Sequence, residues 1–360
     1  MRLLYVSRWW SHHDVRFFDA WTTSGIDVVA LSVDGTAPGD SAYPGADLEV
    51  RISSAVNTFR PDIVHAGPLT DVAPLVRAVW SGPLIVMSWG FDLMHEIDAD
   101  LGALERATGA LKSADCIIVD NNGPRARAVA LRADESRIVQ FPWGIDLSFF
   151  SPGPSTFRER HGIATEAQLV FASRKHEELY CTGDIVDAFL SVAREHPYLD
   201  LALAGSGSLT DSYRARVTAA GLSNRVHFVG DLTATDLLDA HRAANLYVSA
   251  SSVDGTSISL LEAMACGTPV CVSRIAGNDE WVSPETGTTF AVGDVSALAR
   301  EMSSLGDPDA DVRRARASSR ALREVRQRAD WSRTTARLAD IARATIAQKA
   351  DRSTDTLEAP

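Results

Sequence analysis

Two acidic residues, Asp254 and Glu262, lie eight positions apart in a segment whose composition suits the binding of a phosphorylated ligand. They follow a short apolar run, and the small and polar residues between them predict a loop that leads into a helix starting near Ser257. Gly267 and Pro269 are typical of the end of such a helix. Because the first N–H groups of a helix attract anions, the sequence predicts a phosphate or diphosphate site where this helix begins.

Glu262 itself lies in the middle of a helix that is apolar on nearly every side. A carboxylate in that setting needs a partner, because burying an unpaired charge is costly. One interpretation is structural, with Glu262 paired to a nearby arginine or to a backbone group. The other is a ligand with paired hydroxyls, such as a ribose, which would satisfy both carboxylate oxygens.

The elements that must position these residues follow from the hydrophobic pattern. Short apolar runs alternate with helical segments, which predicts parallel β-α-β units and doubly wound sheets. In such sheets ligands bind beyond the carboxyl ends of the strands, and the segment 254–262 follows one of them. The predicted strands are 3–6, 28–31, 63–65, 84–87, 116–119 and 138–141 in a first set, and 169–172, 199–204, 226–229, 246–249 and 270–272 in a second.

Turn and linker residues at 141–144 and 151–154 separate the two sets of strands. This spacing predicts two Rossmann-like domains, 1–148 and 149–330, that face each other across a cleft. A long helix is predicted over 331–350, after a helix over about 309–328. The polar residues 351–360 are predicted to be a disordered tail.

Composition excludes several classes of function. The chain has 360 residues, a net charge of −12 and no basic stripe, which argues against a nucleic-acid-binding protein. No apolar run is long enough to span a bilayer, and we expect a cytoplasmic protein. The arginine-rich stretch 313–328 is interpreted as a solvated helix face, with peripheral contact to an anionic membrane as the alternative. The four cysteines show no zinc-binding spacing.

The stretch from Asp254 to Pro269 resembles the signature of the retaining glycosyltransferases of family 4, which have the GT-B fold. Their motif places two acids eight positions apart and continues as Glu-Ala-Met-Ala-Cys-Gly-Thr-Pro-Val, which is the run from Glu262 to Val270 here. The resemblance implies an acceptor-binding domain over 1–148 and a nucleotide-sugar-binding domain over 149–330. It also implies that the terminal helix packs back on the first domain.

The resemblance further implies roles for single residues. Arg174 would bind the donor diphosphate, Glu262 the ribose, and Asp254 the hydroxyls of the donor sugar; these three are the predicted catalytic residues. The other predicted donor-binding residues are Gly205, Phe228, Val229, Thr256, Ser257 and Ile258. The predicted acceptor-binding residues, from the first domain, are His13, Asp14, Arg16, His65, Trp89 and Asp92.

The chain also departs from the family pattern. The lysine that usually follows the phosphate arginine is missing from 178–181. The phosphate charge would then be balanced by Arg174 and backbone N–H groups, with Lys175 or Arg274 as further candidates. Trp89 stands about where the first domain usually has a histidine. The first acid, usually glutamate, is Asp254. The donor side therefore fits the family better than the acceptor side does.

The expected activity is retaining transfer of a hexose or N-acetylhexosamine from a nucleotide-diphosphate sugar, UDP-sugar favoured, to a hydroxyl of a small molecule, sugar or glycan. No cofactor and no metal are expected. Asp98-Ala99-Asp100 matches the acidic motif of metal-dependent glycosyltransferases, but its place at a helix start predicts capping instead. The alternatives are an epimerase or phosphorylase of the same fold, or a non-catalytic partner that binds sugar nucleotides.

Overall fold

The computed structural model describes residues 1–45 and 47–357, and the chain divides into two compact units. The first unit contains Met1–Pro142 and the chain from Ser332 onward, and the second contains Trp143–Trp331. The predicted α/β class is confirmed, because each unit is built on a six-stranded parallel sheet with helices between the strands.

The sheet of the first unit has the strand order β2-β1-β3-β4-β5-β6. Its strands are β1 (Arg2–Ser7), β2 (Asp27–Ser32), β3 (Ile63–Gly67), β4 (Leu84–Met87), β5 (Cys116–Val119) and β6 (Ile138–Gln140). Its helices are α1 (His12–Thr23), α2 (Leu48–Phe59), α3 (Val72–Val79), α4 (Ile97–Ala99), α5 (Leu101–Ser113) and α6 (Asn122–Ala130), with a π-helical segment at Asp92–Glu96 before α4.

The sheet of the second unit has the order β12-β11-β10-β7-β8-β9. Its strands are β7 (Gln168–Ala172), β8 (Leu199–Ala204), β9 (Val226–Gly230), β10 (Leu246–Ser249), β11 (Val270–Ser273) and β12 (Thr288–Phe290). Its helices are α7 (Phe157–Arg160), α8 (Thr182–Val192), α9 (Thr210–Ala219), α10 (Ala234–Ala243), α11 (Ile258–Ala265), α12 (Ala276–Asp279), α13 (Val295–Ser303) and α14 (Pro308–Arg328), and α15 (Trp331–Leu357) follows.

The strand order of the second unit reverses between β7 and β10, which lie side by side. Such a switch point leaves a crevice beyond the carboxyl ends of the two strands, and ligands of doubly wound folds bind there. The strands themselves are buried on both faces. Leu169 and Phe171 pack into one core cluster, whereas Val170 and Ala172 pack into another on the opposite face.

The passage from the first unit to the second falls at Trp143, a few residues before the predicted boundary at 148. The reason is local pairing. The N–H of Ile145 donates to the carbonyl of Ala329 at 2.8 Å, and the N–H of Trp331 donates to the carbonyl of Ile145 at 2.9 Å. These bonds join the beginning of the second unit to its own end.

The terminal helix is longer than the sequence predicted. It was expected to end near 350 and to give way to a disordered tail, but α15 continues to Leu357. No glycine or proline interrupts 351–357, so nothing in the covalent chain ends the helix earlier. Residues 358–360 of the predicted tail lie outside the described residues. Within the described part of the chain, no helix is both long and apolar enough to cross a membrane.

Candidate functional site

Arg174 and Asp254 meet at the switch point of the second sheet. Arg174 follows β7 and Asp254 follows β10, and these neighbouring parallel strands end at the same edge. Nη2 of Arg174 lies 2.8 Å from Oδ2 of Asp254. The structure therefore brings together two residues that are 80 positions apart and that the sequence predicted to act at one site.

Tyr180 packs against the guanidinium of Arg174. The guanidinium carbon lies 4.4 Å from the centre of the Tyr180 ring, a cation–π contact. Tyr180 stands in the stretch where a lysine was expected, so an aromatic face takes the place of a second charge. The side chain of Lys175 is exposed, and Nη2 of Arg274 donates to Oγ1 of Thr289 at 3.0 Å.

Burial governs the ionisation of this pair. Burial raises the pKa of Asp254, and the nearby charge of Arg174 offsets only part of that effect. Burial lowers the pKa of Arg174, but Asp254 together with Tyr180 and Tyr247 more than compensates, and the net pKa of Arg174 is raised. Arg174 thus remains a cation, whereas Asp254 takes up a proton more readily than an exposed aspartate does.

The beginning of α11 faces the same site. Nη1 of Arg174 lies 3.5 Å from Oγ of Ser257 and 3.4 Å from Oγ of Ser259, too far for strong hydrogen bonds. The side chain of Ser257 does not cap α11, and the first turn of the helix carries no acidic residue. The positive end of the helix dipole and the Arg174 cation therefore act on the same small volume, which suits an anionic ligand.

Glu262 lies one turn further along α11 and is only 9% exposed. Among the described residues, no donor makes a hydrogen bond to its carboxylate, and the nearest cationic or imidazole group is Nε2 of His241 at 3.7 Å. The alternative of a structural pairing with an arginine is not what the structure shows. His241, on α10, was not predicted from the sequence because its proximity to Glu262 arises only from helix packing.

Of the predicted donor residues at the ends of β8 and β9, Gly205 lies beside Arg174. Gly205 has a φ of +102°, and a Cβ there would come within 2.5 Å of the Arg174 carbonyl oxygen. The N–H of Gly205 donates to the carbonyl of Gly230 at 2.8 Å, which ties the ends of β8 and β9 together. Phe228 and Val229 are half-buried at the end of β9, and the Arg214 guanidinium lies 4.4 Å from the centre of the Phe228 ring.

In the first unit, two of the predicted acceptor-binding residues, His13 and Trp89, lie next to each other. Their ring centres are 5.6 Å apart, and Phe17 meets Trp89 edge-on at 5.8 Å. His13 stands on α1, Trp89 follows β4, and both are half-buried. Arg16 is also half-buried on α1. The partly accessible candidates therefore come from the first turns of α1 and from the loop after β4.

The other acceptor candidates are interior residues in the structure, and a role in direct acceptor contact does not fit their positions. The carboxylate of Asp14 is 2% exposed and accepts hydrogen bonds from the side chains of Tyr5 and Ser7 at 2.9 and 2.5 Å. It also accepts a hydrogen bond from the N–H of Ser11 at 2.8 Å and thereby takes part in the capping box at the start of α1.

His65 is enclosed by aromatic rings, and Nε1 of Trp21 donates to its Nδ1 at 3.2 Å. Burial lowers the pKa of His65 to about 3. Asp92 is also fully buried, and burial raises its pKa to about 6, although the hydroxyl of Ser88 (2.5 Å) and the N–H of Leu69 (3.0 Å) donate to it. Asp92 thereby ties the loop that carries Trp89 to the chain that follows β3.

Arg8 is a further polar residue of this region, and it was not among the predicted site residues. Its guanidinium bonds Asp71 at 2.5 Å and Glu96 at 2.6 Å and lies 4.8 Å from the centre of the Trp9 ring. Arg8 follows β1 and Asp71 lies just beyond β3, and these two strands flank the switch point of the first sheet. Its position directly after the first strand is the feature of the sequence that could have identified Arg8 as a candidate site residue.

The acidic motif at Asp98 and Asp100 has the predicted structural role. The carboxylate of Asp100 accepts the N–H groups of Gly102 and Ala103 at 2.9 and 3.0 Å and caps α5. Asp98 forms an ion pair with Arg127. Within residues 1–45 and 47–357, no group of three histidine, cysteine, aspartate or glutamate residues is placed to hold a metal ion.

Comparison with known proteins identifies a matching family and similar enzymes. Residues 155–321 match the family described as glycosyl transferases group 1. The chain is 30% identical over 339 residues to a D-inositol 3-phosphate glycosyltransferase of Mycolicibacterium smegmatis, covering 88% of this chain and 76% of that protein. It is 27% identical over 296 residues to a GDP-mannose-dependent alpha-(1-6)-phosphatidylinositol monomannoside mannosyltransferase of the same organism, covering 77% and 74%.

Solved structures share the fold. The chain is similar to HepE of Anabaena, determined in complex with UDP and glucose, with a TM-score of 0.79, 17% identity and coverage of 96% of this chain and all of the other. It is similar to sucrose-phosphate synthase of Thermosynechococcus elongatus with a TM-score of 0.78 and 17% identity, over 97% and 100% of the two chains. The predicted two-domain α/β fold of the GT-B type is confirmed.

Proposed function

The chain belongs to the group 1 glycosyl transferases, and we propose that it is a retaining enzyme of family 4. It transfers a hexose or N-acetylhexosamine from a nucleotide-diphosphate sugar to a hydroxyl of a small-molecule, sugar or glycan acceptor. One observation carries the proposal: Glu262 is nearly buried, and no described residue donates a hydrogen bond to its carboxylate. A ribose diol supplies the two donors that this carboxylate lacks.

The donor diphosphate lies between Arg174 and the start of α11. Arg174 contributes a permanent positive charge, and the N–H groups of Thr256, Ser257 and Ile258 contribute oriented dipoles. Asp254 holds hydroxyls of the donor sugar from its position 2.8 Å from Arg174. UDP-sugars are the favoured donors, and GDP-mannose is the first alternative because one relative is named as dependent on it.

Transfer proceeds without a covalent bond to the protein. The bond between the anomeric carbon and the phosphate oxygen breaks, the acceptor oxygen bonds that carbon on the same face, and the departing phosphate accepts the acceptor proton. Negative charge builds up on the leaving phosphate, and Arg174 and the N–H groups at the start of α11 stabilise it. Stabilisation of this charge and alignment of the two substrates are the contributions of the chain to the rate.

The acceptor contacts His13, Arg16 and Trp89 in the first unit. An aromatic face such as Trp89 suits the C–H surface of a sugar or cyclitol ring, and one relative is named for an inositol phosphate acceptor. Trp89→Ala should raise KM for the acceptor and leave KM for the donor unchanged. An unchanged acceptor KM would argue against this placement.

Binding of nucleotide sugars tests the donor assignment. A thermal-shift screen of UDP-, GDP- and ADP-sugars should raise Tm for one base, because a ligand that binds the folded state stabilises it by mass action. Arg174→Ala and Glu262→Gln should each weaken binding by about tenfold or more, since each removes a charge-assisted contact. Wild-type affinity in both variants would contradict the proposed site.

The reaction itself separates the alternatives. Release of the nucleoside diphosphate only when an acceptor is added is expected of a transferase. Change of the donor sugar without an acceptor would indicate an epimerase, and dependence on inorganic phosphate would indicate a phosphorylase. Donor binding without turnover on any of a panel of cyclitol, monosaccharide and glycan acceptors would favour a non-catalytic partner.

We also propose that the reaction needs no divalent metal. The support is that Asp98 and Asp100, which make up the acidic motif, are engaged in an ion pair and a helix cap. Full activity in excess EDTA is expected, with a magnesium-supplemented reaction as the control. Loss of activity in EDTA that magnesium restores would overturn this proposal.

A further inference from the structure

We propose that His241 is a positioning residue that holds the Glu262 carboxylate in the orientation needed to bind a ribose diol. The inference rests on the proposed role of Glu262 in donor binding and adds a residue that does not itself touch the donor. It concerns the contact between α10 and α11, the two helices that carry these side chains.

The imidazole of His241 is fully buried, yet neither ring nitrogen has a hydrogen-bond partner among the described residues. Its Nε2 lies 3.7 Å from Oε2 of Glu262. Buried polar groups in folded proteins are almost always paired, so an unpaired imidazole beside an unpaired carboxylate calls for a reason. A small movement of either side chain would bring Nε2 of His241 and Oε2 of Glu262 within normal hydrogen-bond distance.

The surroundings of His241 leave the ring little freedom to turn away. The ring of Phe171 meets it edge-on with centres 5.2 Å apart, and the ring of Tyr247 packs against it at 5.3 Å. The backbone carbonyl of His241 accepts a hydrogen bond from Oγ1 of Thr268 at 2.7 Å, which ties α10 to the chain just after α11. Nε2 is therefore fixed, and Glu262 is the partner that can move.

A shift of about 1 Å by the Glu262 carboxylate brings it into hydrogen-bond range of Nε2. Contacts of this kind are often long without ligand and shorten in the bound complex. With the proton on Nε2, His241 would occupy one lone pair of the carboxylate and set its plane. The remaining lone pairs then point towards two neighbouring hydroxyls, and a ribose diol presents that pattern.

The test compares nucleotides with and without the diol. Titration calorimetry measures Kd for UDP and for 2′,3′-dideoxy-UDP, or for GDP and its dideoxy form if the wild type binds guanosine nucleotides. The wild type should prefer the ribonucleotide. His241→Phe, an apolar ring of similar size, should reduce that preference about tenfold, as expected for the loss of a hydrogen bond to a charged group. His241→Gln should largely keep it, because its amide nitrogen reaches the place of Nε2.

Phe171→Leu is the matched control, because it removes a ring from the same pocket without touching Glu262. It should lower Tm and leave the ratio of the two Kd values unchanged. His241→Leu replaces the phenylalanine variant if that variant does not fold. A merely structural role would weaken binding of both nucleotides equally in His241→Phe, and that result would overturn the inference.

The outcomes also separate this inference from the proposed function. If the wild type binds no nucleotide, or binds both forms equally, the donor assignment of Glu262 fails and the inference falls with it. If Glu262→Gln abolishes the ribose preference while His241→Phe retains it, the donor site stands and only the role of His241 is refuted.

Discussion

Three acids in this chain show how burial decides what a carboxylate can do. Asp14 and Asp92 are enclosed, and donors from β1 and from the loops after β1, β3 and β4 satisfy them. Glu262 is almost as buried, but no described residue donates a hydrogen bond to its carboxylate, and Nε2 of His241 is 3.7 Å away. The sequence correctly placed Asp14 and Asp92 after strands and Glu262 within a helix. It could not distinguish them, because the donors that satisfy an acid belong to residues distant in the chain.

Asp92 gives a pH-dependent prediction at this scale. Burial raises its pKa from 3.8 to about 6. The folded protein therefore holds the proton more tightly than the unfolded chain, and the resulting stability is complete below about pH 4 and lost as pH rises through 6. Relative to Asp92→Asn, the wild type should lose up to about 3 kcal/mol of unfolding free energy between pH 4 and pH 7.5.

Urea unfolding of both proteins at several pH values measures this difference. Taking the difference between the two proteins cancels the other titrating groups, including His65, whose low pKa acts in the opposite direction. A difference in unfolding free energy that does not vary with pH would contradict the protonation of Asp92 in the folded state.

At the scale of elements, the sequence predicted most strands and the start and end of α11. Apolar runs and helix-ending residues are encoded by neighbouring positions in the chain, so they can be recognised without knowing the tertiary structure. Strand β12 was missed because Thr288–Phe290 is short and lacks an apolar run; its pairing with β11 is what makes it a strand. His241 was missed for the same reason, since its neighbour belongs to another helix.

Gly277 of α12 gives the prediction for this scale. A Cβ there would lie 2.0 Å from the carbonyl oxygen of Gly255 and 3.3 Å from that of Asp254. Gly277→Ala must therefore displace the loop that carries Asp254. Since small displacements of binding groups are costly in catalysis, transfer activity should fall by about tenfold or more.

Gly109→Ala is the matched control for that experiment. Gly109 lies in α5, and an added Cβ would meet nothing within 4 Å. Replacement should raise the unfolding free energy by about 0.5–1 kcal/mol, because alanine favours the helix, and should leave activity unchanged. Steady-state rates and urea unfolding of both variants give the answer. Wild-type activity in Gly277→Ala would contradict the prediction, because it would mean that displacing the Asp254 loop does not affect transfer.

At the scale of the molecule, the division of the chain places all predicted donor residues in one unit. Arg174, Asp254 and Glu262 belong to Trp143–Trp331, together with Gly205 and Phe228. This unit has its own core on both faces of its sheet. The sequence predicted two domains because the strand pattern restarts. The position of the junction depended on backbone bonds between Ile145 and the region 329–331.

The isolated fragment Trp143–Trp331 should therefore fold and bind nucleotide without the rest of the chain. Its two ends are joined by the hydrogen bonds of Ile145 to Ala329 and Trp331, so excision leaves no long unpaired segment. The fragment should unfold cooperatively and bind the same nucleotide as the full chain, with a Kd within about tenfold and no transfer activity. Calorimetry on both proteins measures the affinities. A folded fragment that binds no nucleotide, beside a full chain that does, would mean that the first unit supplies donor contacts and that the donor site is not confined to the second.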